Sequence, residues 1–310
     1  MLNRSDELIN AMNSRGSTHS TDSGFKKEIS LFGGVSILGG IMVGSGIFYL
    51  GSYVLMRTGM SLGLALLSWI LGGLVSLLGG ICYAELGASD PRAGGMTVYL
   101  NKAYSPVVGF LNGFNSWLIG GPGSIAAIAI ALPSALTAII PMGEWTIKII
   151  AIVLIIGLTI VNYFGVKFGS KLQNYSMIAK LIPIGIIMVL GLMFGKVSPD
   201  LSLTPKTVDV NFGSIISMVA FAVVASLWAY EGWTNLNTVA EELKEPRKNL
   251  PLAIIISIVS ITALYTLFNY SIYRVIPFNE IENLIANNEF YLGSYAAEKL
   301  MGRSGSILVI

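Results

Sequence analysis

Cysteine and histidine are nearly missing from this 310-residue chain, which has one of each. A lone cysteine, Cys82, excludes an internal disulfide, and its place in an apolar run reads as small-residue packing. The histidine, His19, lies in a polar stretch, so metal catalysis lacks ligands and Ser-His or Cys-His chemistry lacks a base. No HExxH, CxxC or P-loop pattern occurs. Neither enzymatic activity nor a metal nor a cofactor is expected. Charge is scarce too: Asp, Glu, Lys and Arg make up 12% of residues, with a net charge of +2. The basic residues are scattered over short loops instead of forming one face, so nucleic acid is not expected as a partner.

What remains is apolar. A hydrophobic fraction of 54% and a mean hydropathy of +0.72 place the chain in a lipid bilayer. A helix crosses a bilayer with about 20 apolar residues. Uncharged or nearly uncharged runs of that kind cover 29–56, 58–84, 107–138, 146–166, 172–195 and 212–240, and a seventh follows the charged hinge 241–251 and reaches 276. The third lies in an over-long uncharged stretch interrupted by Pro106, Gly120-Gly121-Pro122-Gly123 and Pro133, so a kink is expected there. Residues 1–25 are polar and lack the apolar core of a secretory signal, which reads as a disordered cytosolic tail. Residues 277–303 are polar and partly amphipathic, and 304–310 open a new apolar run.

Loop cations set the expected orientation. With the amino terminus inside, Arg4, Arg15, Lys26, Lys27, Arg92, Lys102, Lys167, Lys171, Lys244, Arg247 and Lys248 fall on the cytosolic side. Arg57, Lys148, Lys196, Lys206, Arg274, Lys299 and Arg303 fall opposite, and the inside excess favours a cytosolic amino terminus.

Two spans carry interruptions at mid-membrane. Gly39, Gly40, Gly44 and Gly46 puncture the first, where each glycine weakens a helix by about 1 kcal/mol relative to alanine. They read either as close helix packing or as a break, which lipid tolerates only where it is buried in protein or lines a wet cavity. The sixth carries Trp228-Ala229-Tyr230-Glu231-Gly232-Trp233 in its middle. Paired interruptions in corresponding spans of two repeats point to a transporter's binding site. Freed amides at the start of a half-helix attract a carboxylate, and freed carbonyls at the end of another attract a cation. An amino acid zwitterion presents both groups.

These residues also carry a resemblance. Gly44-Ser45-Gly46-Ile47-Phe48, Tyr83-Ala84-Glu85-Leu86, Pro91-Arg92-Ala93-Gly94-Gly95, the sixth-span motif, Glu241-Glu242 and Pro246-Arg247 resemble the amino acid, polyamine and organocation superfamily, and within it the L-type amino acid transporters. The resemblance runs from about residue 27 to the end of the chain. It implies an all-α polytopic membrane protein with the LeuT-like 5+5 inverted-repeat fold, truncated to seven spans and the start of an eighth. On that frame 26–195 is the first five-helix repeat, 196–211 an extracellular loop and 212–310 an incomplete second repeat. It also implies alternating access, with the substrate carboxylate on the amides of Ser45 and Gly46, beside Val43, Gly44 and Ile47. The carbonyls of Trp228, Ala229 and Glu231 would receive the amino group, and Trp228 would gate the site; the bland role for Trp228 is interior packing.

Lys180 stands inside the fifth span, where a lysine faces the protein interior or snorkels to an interface. By the resemblance its ammonium replaces the sodium ion of the sodium-coupled relatives. Glu231 stands where many relatives have Gly or Asp, which keeps cationic substrates and proton coupling open. Glu85 reads either as part of an inner-gate ion pair with Arg92 or as an ordinary solvated residue. Eukaryotic L-type transporters attach a single-span glycoprotein through a cysteine between the third and fourth spans. The loop 140–145 has none, so no disulfide-linked heavy chain is expected. The expected function is a sodium-independent exchanger of neutral, small L-amino acids in the cell membrane. The alternatives are a proton-coupled or cationic amino acid or polyamine carrier, and a non-transporting amino acid sensor.

Overall fold

The computed structural model describes residues 27–44, 46–137, 140–163, 166–206 and 211–309. Among them the chain is helical throughout, with one isolated β-bridge, Ile29 to Leu243. The first span is two helices, α1 (Leu31–Met42) and α2 (Gly46–Arg57), bent by 59°. The second span is α3 (Leu62–Ser89), followed by the short α4 (Met96–Ala103). The third runs from α5 (Pro106–Asn115) through a π turn at Ser116–Gly120 into α6 (Gly121–Leu136). Spans four and five are α7 (Glu144–Tyr163) and α8 (Val166–Phe194). The sixth is α9 (Phe212–Tyr230) with a 3-10 segment, Trp233–Glu242, and the seventh is α10 (Pro246–Val275). Three short helices follow: α11 (Phe278–Ala286), α12 (Leu292–Met301) and α13 (Arg303–Val309). Among the described residues six helices are long and apolar enough to cross a membrane, or up to seven spans when the bent pair is taken as one.

The helix starts follow from their caps. Ser30, Ser61, Ser105 and Asn211 each accept an amide proton from the first turn of α1, α3, α5 and α9. The apolar runs fix the membrane segments better than the helix ends. α3 continues past residue 84 to Ser89 because its hydrogen bonds are local to the backbone and need no apolar side chains. Half of the hinge 241–251 is likewise helical, since Pro246 occupies the first turn of α10, where its missing amide costs nothing. The kink of the third span is a π turn, which shifts register without leaving a gap.

The core is a bundle of α1, α3, α9 and α10 against which α2, α8 and α12 pack. Its centre is aromatic: Trp69, Tyr230 and Tyr265 meet with ring centroids 5.3 to 6.2 Å apart. Close approach of α3 to the other bundle members rests on small residues, as membrane helices require. A Cβ on Gly72 or Gly73 would collide with Ser226 of α9 or Thr262 of α10. Cys82 does not pack inside this bundle as expected; it is exposed. The uniformly apolar α3 gives no periodicity from which its buried face is readable, and Leu78, Ile81 and Leu86 share the exposed side with Cys82.

Candidate functional site

Both interrupted spans are broken, and the breaks touch. α1 ends at Val43, whose extended ψ of 99° takes the chain out of the helix. Ser45 lies outside the described residues. α2 restarts at Gly46, so the amides of Gly46, Ile47 and Phe48 have no acceptor within their own helix. In the sixth span Glu231 is extended (ψ 142°) and Gly232 has φ +121°. Gly232 is required there twice over, by its φ and because a Cβ would lie 2.5 Å from Ile41 Cγ2. The second break is thus seated on the last turn of α1.

A residue that sequence reasoning missed joins the two. The Tyr265 hydroxyl, on α10, lies 2.7 Å from the Met42 carbonyl and 3.0 Å from the Ala229 carbonyl. One hydroxyl proton cannot fully serve two carbonyls, so acceptor capacity remains where the breaks meet. A tyrosine in an apolar span was the available signal, but nothing local distinguishes it from Tyr270 or Tyr273 on the same helix. Tyr265 is 1% exposed, while a Cβ on Gly44 would meet nothing within 4 Å. One side of the first break is therefore packed and the other is open.

The remaining expected residues fall as follows. Val43, Ile47 and Ala229 are buried beside the breaks. The Trp228 carbonyl receives only a long 3.5 Å contact from the Glu231 amide. Its ring is 57% exposed and lies beside Tyr49 of α2. Tyr49 continues into an aromatic cluster with Tyr53, Phe290 and Tyr291. The Glu231 side chain is exposed at the break and forms no ion pair among the described residues.

Lys180 faces inward. Its Nζ donates to the Gly40 carbonyl of α1 at 3.1 Å, one turn before the first break. Met177, three residues earlier on α8, lies against Ser36 and Gly39 of the same helix. Of the two positions open to this lysine, the structure takes the interior one.

At the amino-terminal end of α1 the break-bearing spans are tied together. Ile29 donates to the Glu242 carbonyl and accepts from the Lys244 amide, at 3.0 and 2.9 Å. Buried Asn237 donates to the Tyr83 carbonyl and the Tyr99 hydroxyl, both at 3.0 Å. Glu241 accepts the Ala93 amide at 3.1 Å. The Glu85 to Arg92 pair is not formed. Arg92 instead holds Asp90 through two bonds of 2.8 and 2.9 Å, and with Lys102 it keeps the Asp90 carboxyl below the usual range. Glu85 is an exposed residue of α3.

A family model described as amino acid permease matches residues 29–310. The chain belongs to the amino acid permease family. Within the family it is 35% identical over 291 residues to the serine/threonine exchanger SteT of Bacillus subtilis, covering 94% of this chain and 64% of that protein. It is 35% identical over 263 residues to the human b(0,+)-type amino acid transporter 1, covering 83% and 53%. It is 34% identical over 290 residues to human large neutral amino acids transporter small subunit 2, covering 92% and 53%. The chain thus spans between half and two thirds of the length of these permeases.

Proposed function

We propose that this chain provides the substrate site of a sodium-independent amino acid exchanger working by alternating access, with small neutral L-amino acids as its substrates. The observation that carries the reading is the meeting of two mid-membrane breaks of opposite backbone polarity. The amides of Ser45 and Gly46, beside Val43, Gly44 and Ile47, receive the carboxylate. The carbonyls of Trp228, Ala229 and Glu231 receive the ammonium, and Trp228 gates the site from the α2 side. Lys180 supplies a fixed positive charge behind the first break, in the role a sodium ion has in coupled relatives. A substrate class of small neutral amino acids is consistent with the likeness to a serine/threonine exchanger. The proposed setting is the cell membrane with a cytosolic amino terminus, without a disulfide-linked heavy chain.

The test uses purified protein in liposomes. Uptake of radiolabelled serine is expected only when the vesicles are preloaded with amino acid, and equally in sodium and choline buffers. Uptake that requires sodium, or that proceeds undiminished into empty vesicles, would sink the exchanger reading.

A second reading, a carrier coupled to protons or taking cationic substrates, is favoured by one observation, the exposed Glu231 carboxylate at the break itself. Loss of uptake or of its pH dependence in Glu231→Gln selects it.

A further inference from the structure

We infer that the chain holds an anionic phospholipid on the outer face of α10, with the lipid phosphate in a basic pocket between the chain entering α1 and the start of α10. The pocket has a volume of about 380 Å³ and is lined by Lys27, Pro91, Glu245, Pro246, Arg247 and Lys248. Three cations face one carboxylate in it. Lys27, Arg247 and Lys248 are exposed and form no ion pair among the described residues. Two other cations at this end, Arg92 and Lys102, both hold Asp90. Three cations against one carboxylate leave the pocket with an excess of positive charge, and it prefers an anion to a zwitterion.

The shape of the surface below the pocket chooses a lipid over a soluble phosphate. Positions three and four apart share a helix face, and from Lys248 that face of α10 continues through Leu252, Ile256 and Val259, which are 38%, 40% and 51% exposed. Phe32, in the first turn of the neighbouring α1, is 81% exposed. From Lys248, which lines the pocket, an apolar stripe thus descends along the span. A phosphodiester headgroup with acyl chains fits both parts, whereas inorganic phosphate fits only the first. A negatively charged headgroup such as phosphatidylglycerol meets the charge requirement, and phosphatidylcholine does not.

The experiment incubates the detergent-purified chain with equal amounts of phosphatidylglycerol and phosphatidylcholine and counts retained lipid by native mass spectrometry. Wild-type protein is expected to retain phosphatidylglycerol at least about fivefold over phosphatidylcholine, the equivalent of about 1 kcal/mol, which is what a single cation near an anionic surface contributes. The preference is expected to disappear in Arg247→Gln/Lys248→Gln and to fall in Lys27→Gln. It should persist in Lys299→Gln, whose cation pairs with Glu280 away from the pocket. All substitutions are at exposed or half-exposed positions, and monodispersity on gel filtration checks folding. An unchanged preference in the double variant, equal retention of both lipids by wild type, or displacement of the lipid by a tenfold excess of inorganic phosphate would each overturn the proposal.

Discussion

The Tyr265 hydroxyl donates to the Met42 carbonyl across 2.7 Å, linking residues 223 positions apart in the chain. The same oxygen is 3.0 Å from the Ala229 carbonyl, so one side chain of α10 spans both breaks. Removing that hydroxyl frees two carbonyls while leaving the ring packed against Trp69 and Tyr230. Tyr265→Phe is expected to cost about 1 kcal/mol in stability. Its larger effect should fall on transport, measured as a loss of serine exchange in proteoliposomes by at least about fivefold, the equivalent of one neutral hydrogen bond. Unaltered exchange would show that the bridge holds the fold and not the site.

Gly232→Ala tests whether the contact between the breaks is obligatory. The substitution meets both an unfavourable φ and the Ile41 side chain. A strained φ of this kind costs about 1–3 kcal/mol, and the collision adds to it. Thermal unfolding should shift down, and exchange should be abolished even in protein that remains folded.

Lys180→Met removes the ammonium from the Gly40 carbonyl while keeping an unbranched stem of similar size. Exchange is expected to fall severely, with Lys180→Arg recovering part of it. If Lys180→Met exchanges at the wild-type rate in sodium-free buffer, the fixed charge has no part in transport.

Glu231→Gln separates the two transport readings. In a neutral amino acid exchanger the exposed carboxylate is dispensable, so serine exchange and its pH profile between 5 and 8 should be retained to within about twofold, the size of a minor surface effect. Uptake assays across that range, in wild type and variant side by side, decide it.

One pH effect lies away from the site. In the loop between α8 and α9 the Lys206 ammonium and the Ser202 amide and hydroxyl lower the Asp200 carboxyl to about 2. A depressed carboxylate stabilises the loop at any pH above its unfolded value, about 3.9, and this is lost as pH falls through the folded value. Amide exchange at Ser202 should therefore accelerate as pH falls from about 4 towards 2, after correction for the intrinsic rate. Asp200→Asn should remove the dependence. A pH-independent protection factor in wild type would contradict the assignment.

Much of the architecture was legible because partitioning into a bilayer depends on runs of side chains. The seven apolar runs coincide with the spans seen, and the glycines of the first span and Glu231-Gly232 of the sixth mark where helices stop. α4 escaped notice because eight residues outside the membrane leave no hydropathy trace. Glu85 and Arg92 are close in sequence and oppositely charged, yet Asp90 lies nearer to Arg92, and a two-residue bidentate contact outcompetes a longer reach. Cys82 was misread because uniform hydrophobicity shows that a helix is in the membrane and not which face meets protein.

The amino-acid sequence by itself determined the membrane class, the two interrupted spans and the family pattern, since each depends on composition or short spacing along the chain. Only the tertiary structure decided that the breaks face each other, that Lys180 points at Gly40, that Tyr265 serves two carbonyls and that three cations line one pocket at one end of the bundle. Those are relations between backbone groups and side chains up to 223 positions apart. Helix packing sets them through which small residues let which helices approach, and no local signal in a uniformly apolar span carries that information.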